Sequence, residues 1–349
     1  MNFSAIGLMS GTSLDGLDIC YASFEKKNNA DWSFKLLIAE TLPYNNFWGN
    51  KLRNAMALSA EQLCALHSEY GFYLGQMVKN FIDQNQLTKI DVIASHGHTV
   101  FHQPQNKFTL QIGDGRAIKI LNSLPVVYDF RSQDVLMGGN GAPLVPIGDQ
   151  LLFSEYDACL NLGGFSNISF IHQGKRIAFD ICPVNMVMNY FAEKKGEKFD
   201  KDGQLAAAGT VNQETLETLN NLKFYQQAAP KSLGAEWVIT EILPKLNPLN
   251  PEDALATFTA HVAEQIAKVL TRFGLKNTLV TGGGAYNKNL IEEIQKLCDT
   301  TLVIPSSEIV NFKEALIFAL MGVLRINGEN NVLSTATGSP ENHCSGILV

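Results

Sequence analysis

The sequence predicts an α/β fold with two similar halves, and three observations support this. A strand, a loop of glycine and hydroxyl residues and a returning strand occur twice, over 5–24 and again over 157–172. Helical and strand patterns alternate after each of these hairpins. The chain has 349 residues, enough for two domains of roughly 150 residues each. We therefore expect a weak internal duplication, with two α/β domains and a cleft between them.

Composition narrows the class of protein. Hydrophobic residues make up 46% of the chain and charged residues 17%, which is typical of a soluble globular protein. The formal net charge of −7 argues against nucleic acid or an anionic membrane as a partner. Six cysteines form no C-x-x-C pair, so we expect reduced thiols in a cytoplasmic protein. No basic segment precedes the first apolar run, and the longest apolar stretch, 315–324, is too short to span a membrane.

In the first half, residues 5–9 and 17–24 read as strands, so the segment Gly11–Gly16 joins two strands. Apolar residues then recur at i+3 and i+4 over 59–84, which predicts a helix. A strand is expected at 91–95, and we expect the polar segment "HGHTVFHQP" after it to be a loop.

The second half begins with predicted strands at 157–161, 168–172 and 176–180. Pro183 should end the third of them, and a helix should begin near Asn185. Farther on, "TLVTGGGAYNKNLIEEIQKL" predicts a strand, a glycine loop and a helix that starts near Asn287.

Three glycine loops follow predicted strands, at Gly11–Gly16, Gly163–Gly164 and Gly282–Gly284. The first has the glycine spacing of a P-loop, but Leu17 and Asp18 stand where that motif needs Lys and then Ser or Thr. Each loop alone is better explained as a tight turn. Together they suit a bound nucleotide, because glycine lets backbone N–H groups approach phosphate oxygens closely.

Within the first loop, Thr12 and Ser13 can add hydroxyl donors, while Asp15 or Asp18 can hold Mg²⁺ directly or through water.

Two acidic residues are further candidates. Asp180 ends a predicted strand, where a carboxylate either faces a cleft as an acid–base group or caps the next helix. Spacing supports both interpretations equally. Glu314 opens an apolar helical run, so helix capping is its structural alternative.

Basic and imidazole side chains also stand out. His96, His98 and His102 form an H-x-H-x-x-x-H pattern, but no nearby Cys or Glu completes a zinc site. We favour histidines that hydrogen-bond a polar ligand. Arg131 follows a predicted strand and is either an ion-pair partner or a clamp on a ligand. The Gly- and Pro-rich segment "MGGNGAPLVP" is expected to be irregular.

Taken in order, these segments resemble a known family, the anhydro-N-acetylmuramic acid kinases, over nearly the whole chain. The segments that carry the resemblance are "GLMSGTSLDGLD", "ASHGHTVFHQP", "TLQIGDG", "VVYDFRSQD", "GGNGAPLVP", "NLGGFSNIS", "AFDICPVNM", "TGGGAYN" and "FKEALIFA". The first segment and "GGNGAPLVP" are the most specific of them.

The resemblance implies an actin-like fold, as in sugar kinases and heat-shock ATPases, with two duplicated α/β domains that close on ATP. We expect the domains at 1–125 and 126–349, with the last helix packing back on the first. It also implies a cytoplasmic reaction in the recycling of cell-wall peptidoglycan. Water opens the 1,6-anhydro ring of anhydro-N-acetylmuramic acid while O6 takes the γ-phosphate of ATP, which gives N-acetylmuramic acid 6-phosphate. The family leads us to expect a homodimer.

Site residues follow from the resemblance by position. Asp180 matches the general base that activates the water. His96, Arg131 and Glu314 match residues that bind the sugar and its lactyl group. Gly282, Gly283 and Gly284 would lie near the nucleoside, with Gly163 and Gly164 in the second glycine loop. The ATP phosphates and Mg²⁺ would be held by Gly11, Thr12, Ser13, Leu14, Asp15, Gly16, Leu17 and Asp18, with Asp15 and Asp18 at the metal.

The chain also departs from the family. Where the family usually has Asp-Thr-Gly-Pro-Gly-Asn, residues 180–185 read Asp-Ile-Cys-Pro-Val-Asn, so both glycines and the hydroxyl are absent. His98 and Asn140 stand where other residues are usual, Gln in the first case. A kinase of another amino sugar, or a slow ATP-binding regulator on the same scaffold, therefore remains an alternative.

Overall fold

The computed structural model describes residues 1–11, 14–28, 31–229 and 231–349, which divide into two compact units. Unit 1 comprises Met1–Phe153 and Phe312–Val349, and unit 2 comprises Ser154–Asn311. The boundary expected between residues 125 and 126 falls inside unit 1, because the strand that starts at Val126 pairs with a strand of the unit 1 sheet. The C-terminal segment from Phe312 onward also belongs to unit 1.

Both units are α/β. The strands are β1 (Asn2–Ser10), β2 (Gly16–Asn28), β3 (Asp31–Pro43), β4 (Val92–Gln103), β5 (Phe108–Ile112), β6 (Val126–Tyr128), β7 (Ala158–Leu162), β8 (Phe165–His172), β9 (Lys175–Pro183), β10 (Asn277–Thr281), β11 (Thr301–Val303) and β12 (Ile347–Leu348). The α-helices are α1 (Asn46–Arg53), α2 (Ala60–Gln84), α3 (Gly115–Asn122), α4 (Ser132–Leu136), α5 (Pro146–Leu152), α6 (Asn185–Glu193), α7 (Gln204–Ala208), α8 (Gln213–Asn220), α9 (Ala235–Trp237), α10 (Leu243–Leu246), α11 (Pro251–Arg272), α12 (Lys288–Leu297), α13 (Ser307–Ile326) and α14 (Ser334–Thr337).

The two sheets share one topology. In unit 1 the order is β12-β6-β4-β1-β2-β3, with β5 on β4, and in unit 2 it is β11-β10-β7-β8-β9. The first three strands of each unit form an antiparallel meander, and the next strands add in parallel beside the first. The repeated arrangement confirms the predicted α/β architecture of two duplicated, actin-like domains.

The core of unit 1 lies between its sheet and α2. Ile6, Leu8 and Leu17 from the first hairpin pack with Tyr70 and Leu74 of α2 in one buried cluster. Ser59 closes α2 at its N-terminus with a capping box to Gln62, which explains why the helix begins there. Burial of these large side chains supplies the stability that holds the hairpin in place.

Most of the predicted elements are confirmed, among them the two opening hairpins, α2 and the helix after Asn287, which is its N-cap. The loop predicted for "HGHTVFHQP" is wrong. β4 continues to Gln103, because β5 pairs with it antiparallel and satisfies its backbone hydrogen bonds, for example at His98 opposite Ile112. None of the helices in the described ranges is long and apolar enough to cross a membrane.

Candidate functional site

The loop between β1 and β2 begins directly after the last paired residues of the hairpin, Ser10 and Leu17. Thr12 and Ser13, two of its predicted phosphate ligands, lie outside the described residues. Leu14 has a positive φ of 60°, and its N–H faces the Gly11 carbonyl at 3.4 Å. The loop therefore makes a tight reversal of the chain between two strands, as the sequence predicted.

For two of the residues assigned to this loop, packing within unit 1 explains the residue type. A Cβ on Gly16 would lie 2.6 Å from the Leu42 carbonyl oxygen of β3, so packing against β3 requires glycine there. The Leu17 side chain is buried in the core of unit 1. Neither residue therefore offers a side chain to a ligand.

Asp15 and Asp18 are the acidic residues of the loop. Asp18 is half-buried on β2, and its Oδ1 accepts a 2.6 Å hydrogen bond from Thr41 Oγ1. Burial raises the pKa of Asp18; the Thr41 bond opposes this, and the charge of Asp15 adds to it. A divalent cation relieves such repulsion between carboxylates, so this donor set fits Mg²⁺. Among the described residues no group of three or more His, Cys, Asp or Glu could hold a metal ion, so water and phosphate oxygens would complete the coordination.

Two hydrogen bonds fix the guanidinium of Arg131 within unit 1. Its Nε donates to His96 Nε2 at 2.8 Å, and its Nη1 donates to the Gly141 carbonyl at 2.6 Å. Burial lowers the pKa of Arg131 to about 10, although the charges of Glu314 and Asp134 raise it. The guanidinium therefore stays charged at neutral pH, in a fixed orientation.

The Gly-rich segment whose Gly141 carbonyl accepts from Arg131 is itself held by hydrogen bonds to Asp134 and Thr337. The buried Asp134 accepts the Gly141 N–H at 2.6 Å through Oδ2 and the Thr337 hydroxyl at 2.7 Å through Oδ1. The Asn140 N–H donates to the Thr337 carbonyl at 2.8 Å. Asp134 and Thr337 are thus positioning residues for the carbonyl that Arg131 binds, and the sequence analysis did not find them.

Glu314 lies well inside α13, which begins at Ser307, so the capping alternative for Glu314 is wrong. The residue is solvent-exposed, yet protein surrounding its carboxyl raises its pKa. The charge of Arg131 lowers this pKa and the charge of Asp18 raises it, so the Glu314 carboxyl lies within electrostatic range of both. Next to it, Lys313 forms a buried 2.6 Å ion pair with Asp149, which fixes α13 against α5.

The three histidines of β4 differ in their surroundings. His96 and His98 are buried, whereas His102 is exposed and faces Thr109 Oγ1 at 3.0 Å through Nδ1. Both ring nitrogens of His96 are engaged, Nδ1 at 3.0 Å from the Gly97 carbonyl and Nε2 with Arg131. This geometry provides hydrogen bonds rather than a zinc site.

Asp180 lies beside an irregularity in β9. Asn167 pairs with Asp180 but Ser166 pairs with Cys182, which leaves Ile181 as an extra residue on β9. Such bulges re-aim neighbouring side chains and are common next to active sites. Burial raises the pKa of Asp180, while the hydrogen bond from Leu233 and the charge of Lys231 lower it.

The partners of Asp180 exclude the capping alternative for it. Asp180 Oδ2 accepts the Leu233 N–H at 2.8 Å, and the Asp180 N–H donates to the Lys231 carbonyl at 3.0 Å. No described residue donates to its Oδ1, and α6 has no side-chain cap. Sequence analysis missed the Lys231–Leu233 segment, because no local pattern links it to a strand some fifty residues earlier.

The other two glycine loops belong to unit 2, and they divide into packed and open glycines. A Cβ on Gly282, whose φ is 81°, would lie 2.5 Å from Asn161 Oδ1, and one on Gly284 would lie 2.7 Å from Leu162 Cβ. By contrast, a Cβ on Gly164 would meet nothing within 4 Å, and one on Gly283 only Asn185 Nδ2 at 3.5 Å. Neither φ nor packing requires glycine at these two positions, so both fit close approach by a ligand.

The rebuilt segment at 181–184 is internally satisfied. The N–H groups of Val184, Asn185 and Met186 donate to the carbonyls of Gly164, Gly163 and Gly164 at 2.9, 3.1 and 3.3 Å. The start of α6 therefore needs no glycine of its own to be hydrogen-bonded. It also offers fewer free backbone donors to a phosphate than an uncapped helix would.

A cavity of about 470 Å³ opens in unit 2 beside the third glycine loop. Its walls are mostly apolar, with Phe199, Met188 and Tyr286 around Gly283, and Asn185 and Asp200 contribute polar atoms. A cavity of this size and lining suits a flat, partly polar group such as a nucleobase with its ribose.

Comparison with known proteins gives a consistent result. A family model described as "Anhydro-N-acetylmuramic acid kinase" matches residues 3–349. The anhydro-N-acetylmuramic acid kinase of Francisella tularensis subsp. novicida is 35% identical over 363 aligned residues, which cover 96% of this chain and 95% of that protein. The protein of the same name from Zymomonas mobilis subsp. mobilis is 35% identical, with 99% of each chain covered.

Solved structures resemble the chain only distantly. Component A of the (R)-2-hydroxyglutaryl-CoA dehydratase from Acidaminococcus fermentans has a TM-score of 0.47 at 11% identity, covering 92% of this chain and 97% of that chain. A ROK family glucokinase from Streptomyces griseus in complex with glucose and AMPPNP has a TM-score of 0.41 at 12% identity, covering 92% and 99%. Likenesses this low carry no argument about function.

Proposed function

This chain belongs to the anhydro-N-acetylmuramic acid kinase family, and on that premise we propose that it opens 1,6-anhydro-N-acetylmuramic acid with water and phosphorylates its O6 at the expense of ATP. The product is N-acetylmuramic acid 6-phosphate, formed in the cytoplasm during recycling of peptidoglycan. Asp180 carries the proposal, because it is a half-buried carboxylate with one oxygen fixed and the other without a donor among the described residues.

In this proposal Asp180 is the general base. It takes a proton from the water whose oxygen bonds to the anomeric carbon, while the bond from that carbon to O6 breaks. The freed O6 accepts the phosphoryl group, which ATP supplies when bound. The raised pKa of Asp180 suits the task, because a base whose pKa lies nearer to the working pH accepts a proton more readily.

Two groups of residues support nucleotide binding. The phosphates are assigned to the loop that starts at Gly11, because glycine lets backbone N–H groups approach phosphate oxygens closely, and Asp15 with Asp18 would hold Mg²⁺. In unit 2, the open glycines Gly164 and Gly283 allow close approach, and the cavity beside Gly283 would take the nucleoside. Phosphoryl transfer depends mainly on such positioning and on charge stabilisation.

The sugar is assigned to the charged residues of unit 1. Arg131 presents a fixed guanidinium that matches a carboxylate such as that of a lactyl group. Glu314 would accept hydrogen bonds from sugar hydroxyl or amide groups. Since both ring nitrogens of His96 are engaged within the protein, we assign it the role of holding Arg131 rather than touching the sugar. A homodimer is part of the proposal, and light scattering after size-exclusion chromatography tests it.

ADP release with Mg-ATP, measured with and without 1,6-anhydro-N-acetylmuramic acid, tests the function. We expect sugar-dependent turnover that falls about 10²–10⁴-fold in Asp180→Asn, the usual contribution of a general base. Asp157→Asn is the matched control. Asp157 also accepts backbone N–H groups, from Lys276 and Asn277, but it lies at the N-terminal end of β7, away from the glycine loop that follows this strand. Turnover that does not depend on the sugar, or that is as fast in Asp180→Asn as in the unmodified protein, would contradict the proposal.

A further inference from the structure

A chain of hydrogen bonds links four side chains at the base of the first loop. Tyr70 OH lies 2.6 Å from Tyr44 OH, Tyr44 OH donates to Ser10 Oγ at 2.8 Å, and Ser10 Oγ lies 3.1 Å from His98 Nδ1. The residues come from α2, the segment after β3, the end of β1 and β4. Nothing in the assignments of phosphate, metal or sugar ligands uses them.

The direction of these bonds favours one tautomer of His98. Tyr44 gives its hydrogen to Ser10, so Tyr70 must donate to Tyr44. Ser10 is then left with one hydrogen, and His98 Nδ1 lies 3.1 Å from its Oγ as an acceptor for that hydrogen. A buried hydroxyl without an acceptor is unfavourable, so His98 Nδ1 accepts this hydrogen and the ring proton sits on Nε2.

His98 lies next to the first glycine loop. Ser10 immediately precedes Gly11 of the first loop, and His98 pairs with Ser10 in the register of β1 and β4. The ring edge that carries Nε2 faces away from Ser10, and no described residue forms a hydrogen bond with it. Burial lowers the pKa of His98 to about 4, so the ring is neutral at physiological pH and keeps one N–H.

We propose that His98 donates its Nε2–H to an acceptor oxygen of a bound substrate, and that Tyr70, Tyr44 and Ser10 hold His98 in the tautomer that donates. The identity of the substrate rests on the proposed function, whereas the tautomer does not. The oxygen belongs either to the sugar or to an ATP phosphate, since both are rich in acceptors. Ser10, Tyr44 and Tyr70 are positioning residues, because they act through His98.

The tautomer is tested first, without any assay of activity. Nitrogen-15 NMR of histidine-labelled protein distinguishes a protonated Nε2 from a protonated Nδ1 by their chemical shifts. We expect His98, assigned by its loss in His98→Gln, to carry the proton on Nε2 in the unmodified protein. In Tyr44→Phe, Ser10 is free to accept from Nδ1, so the proton should shift toward Nδ1. A proton on Nδ1 in the unmodified protein would overturn the proposal.

Kinetics test the contact. In His98→Phe, which keeps a ring but no donor, we expect KM to rise about 3- to 10-fold, the effect of one lost hydrogen bond to a bound ligand. The substrate whose KM rises, sugar or ATP, identifies the oxygen. His98→Gln should restore most of the affinity, since its amide can accept from Ser10 and donate onward. Tyr73→Phe is the control, because Tyr73 packs in the same aromatic cluster outside the hydrogen-bonded chain.

The outcomes separate this proposal from the proposed function. If the protein shows no sugar-dependent turnover, the function fails, but the NMR result and the affinity for ATP in His98→Phe still decide on His98. If His98→Phe folds with unchanged thermal stability and both KM values stay within about 2-fold of the unmodified protein, His98 makes no contact with substrate.

Discussion

Arg131 donates its Nε–H to Nε2 of His96 across 2.8 Å, although both side chains can carry positive charge. The bond requires a neutral His96, because a protonated imidazole has no lone pair to accept with. Burial lowers the pKa of His96 well below its usual range, and the charge of Arg131 lowers it further. His96 Nδ1 then keeps the ring proton and faces the Gly97 carbonyl at 3.0 Å. The pair therefore carries a single positive charge, and the bond to His96 fixes the orientation of the Arg131 guanidinium.

Replacement of Arg131 by Lys should damage sugar use selectively. One ammonium group cannot keep the bonds to His96 and Gly141 and still offer a planar fork to a carboxylate. We expect kcat/KM for the sugar to fall at least about 10-fold, because a hydrogen bond to a charged group contributes about 1.5–3 kcal/mol. Arg116→Lys, at an exposed arginine paired with Asp114, is the control. Equal sugar kinetics in the two variants would contradict the assignment of Arg131.

Lys231 should set the acid limit of activity through Asp180. Its charge lowers the pKa of Asp180, so Lys231→Met should raise that pKa further. Because the base must be deprotonated, a higher pKa means that activity is lost at a higher pH as the solution is acidified. The acid limb of the kcat/KM profile against pH should therefore move to higher pH in Lys231→Met.

The matched variants for this prediction keep or remove charge elsewhere. Lys231→Arg retains the charge and should keep the limb in place. Lys268→Met removes an exposed lysine that pairs with Glu264 on α11, and it should leave the profile unchanged. An acid limb that moves equally in Lys268→Met would mean that net charge, rather than Lys231, is responsible.

The parts of the fold that were predicted correctly depend on local pattern. The hairpin β1–β2 and helix α2 follow from alternation and from i+3 and i+4 spacing within a few residues. The extension of β4 over His96–Gln103 was missed, because its side chains are polar and its hydrogen-bonding partner, β5, comes later in the chain. Local polarity predicts a loop there, and only the tertiary pairing makes it a strand.

In the candidate site, too, local pattern identified some residues, whereas the features that depend on tertiary contacts were missed. Asp180 and Arg131 could be singled out by residue type near strand ends, but their partners could not. The Thr337 hydroxyl that binds Asp134 comes from 203 residues away along the chain. Nor does the sequence separate a glycine required by packing, such as Gly16, from an open one, such as Gly164, because the difference lies in a neighbouring strand.

Acidification should destabilise the protein through its buried histidines. His261 faces Asn220 Oδ1 at 2.7 Å and Tyr225 OH at 2.8 Å, and burial lowers its pKa to about 3, while that of His98 falls to about 4. Below pH 6.5 the unfolded chain binds protons that the folded chain does not. Above pH 6.5 these histidines do not reduce the free energy of unfolding. As the pH falls toward 4, each of them lowers the free energy of unfolding by up to about 1.4 kcal/mol per pH unit.

Urea unfolding between pH 7 and pH 5 measures this effect. We expect the midpoint to fall with pH in the unmodified protein and to fall less steeply in His261→Gln, whose amide can keep both hydrogen bonds without titrating. His172→Gln removes an exposed imidazole and serves as control. The same steepness in the unmodified protein and in His261→Gln would show that His261 does not contribute to the pH dependence.

Two adjacent glycines of the third loop should respond differently to alanine. At Gly282 an added Cβ meets Asn161 Oδ1 at 2.5 Å in a backbone conformation with φ of 81°, which side chains rarely adopt. Such strain costs about 1–3 kcal/mol, so Gly282→Ala should lower the thermal unfolding midpoint. Gly283→Ala meets only Asn185 Nδ2 at 3.5 Å and should unfold at the wild-type temperature. Because Gly283 lines the cavity of unit 2, its variant should instead raise KM for ATP. An unfolding midpoint lowered equally in both variants would show that the loop tolerates no side chain at all and would remove the argument that Gly283 is kept open for a ligand.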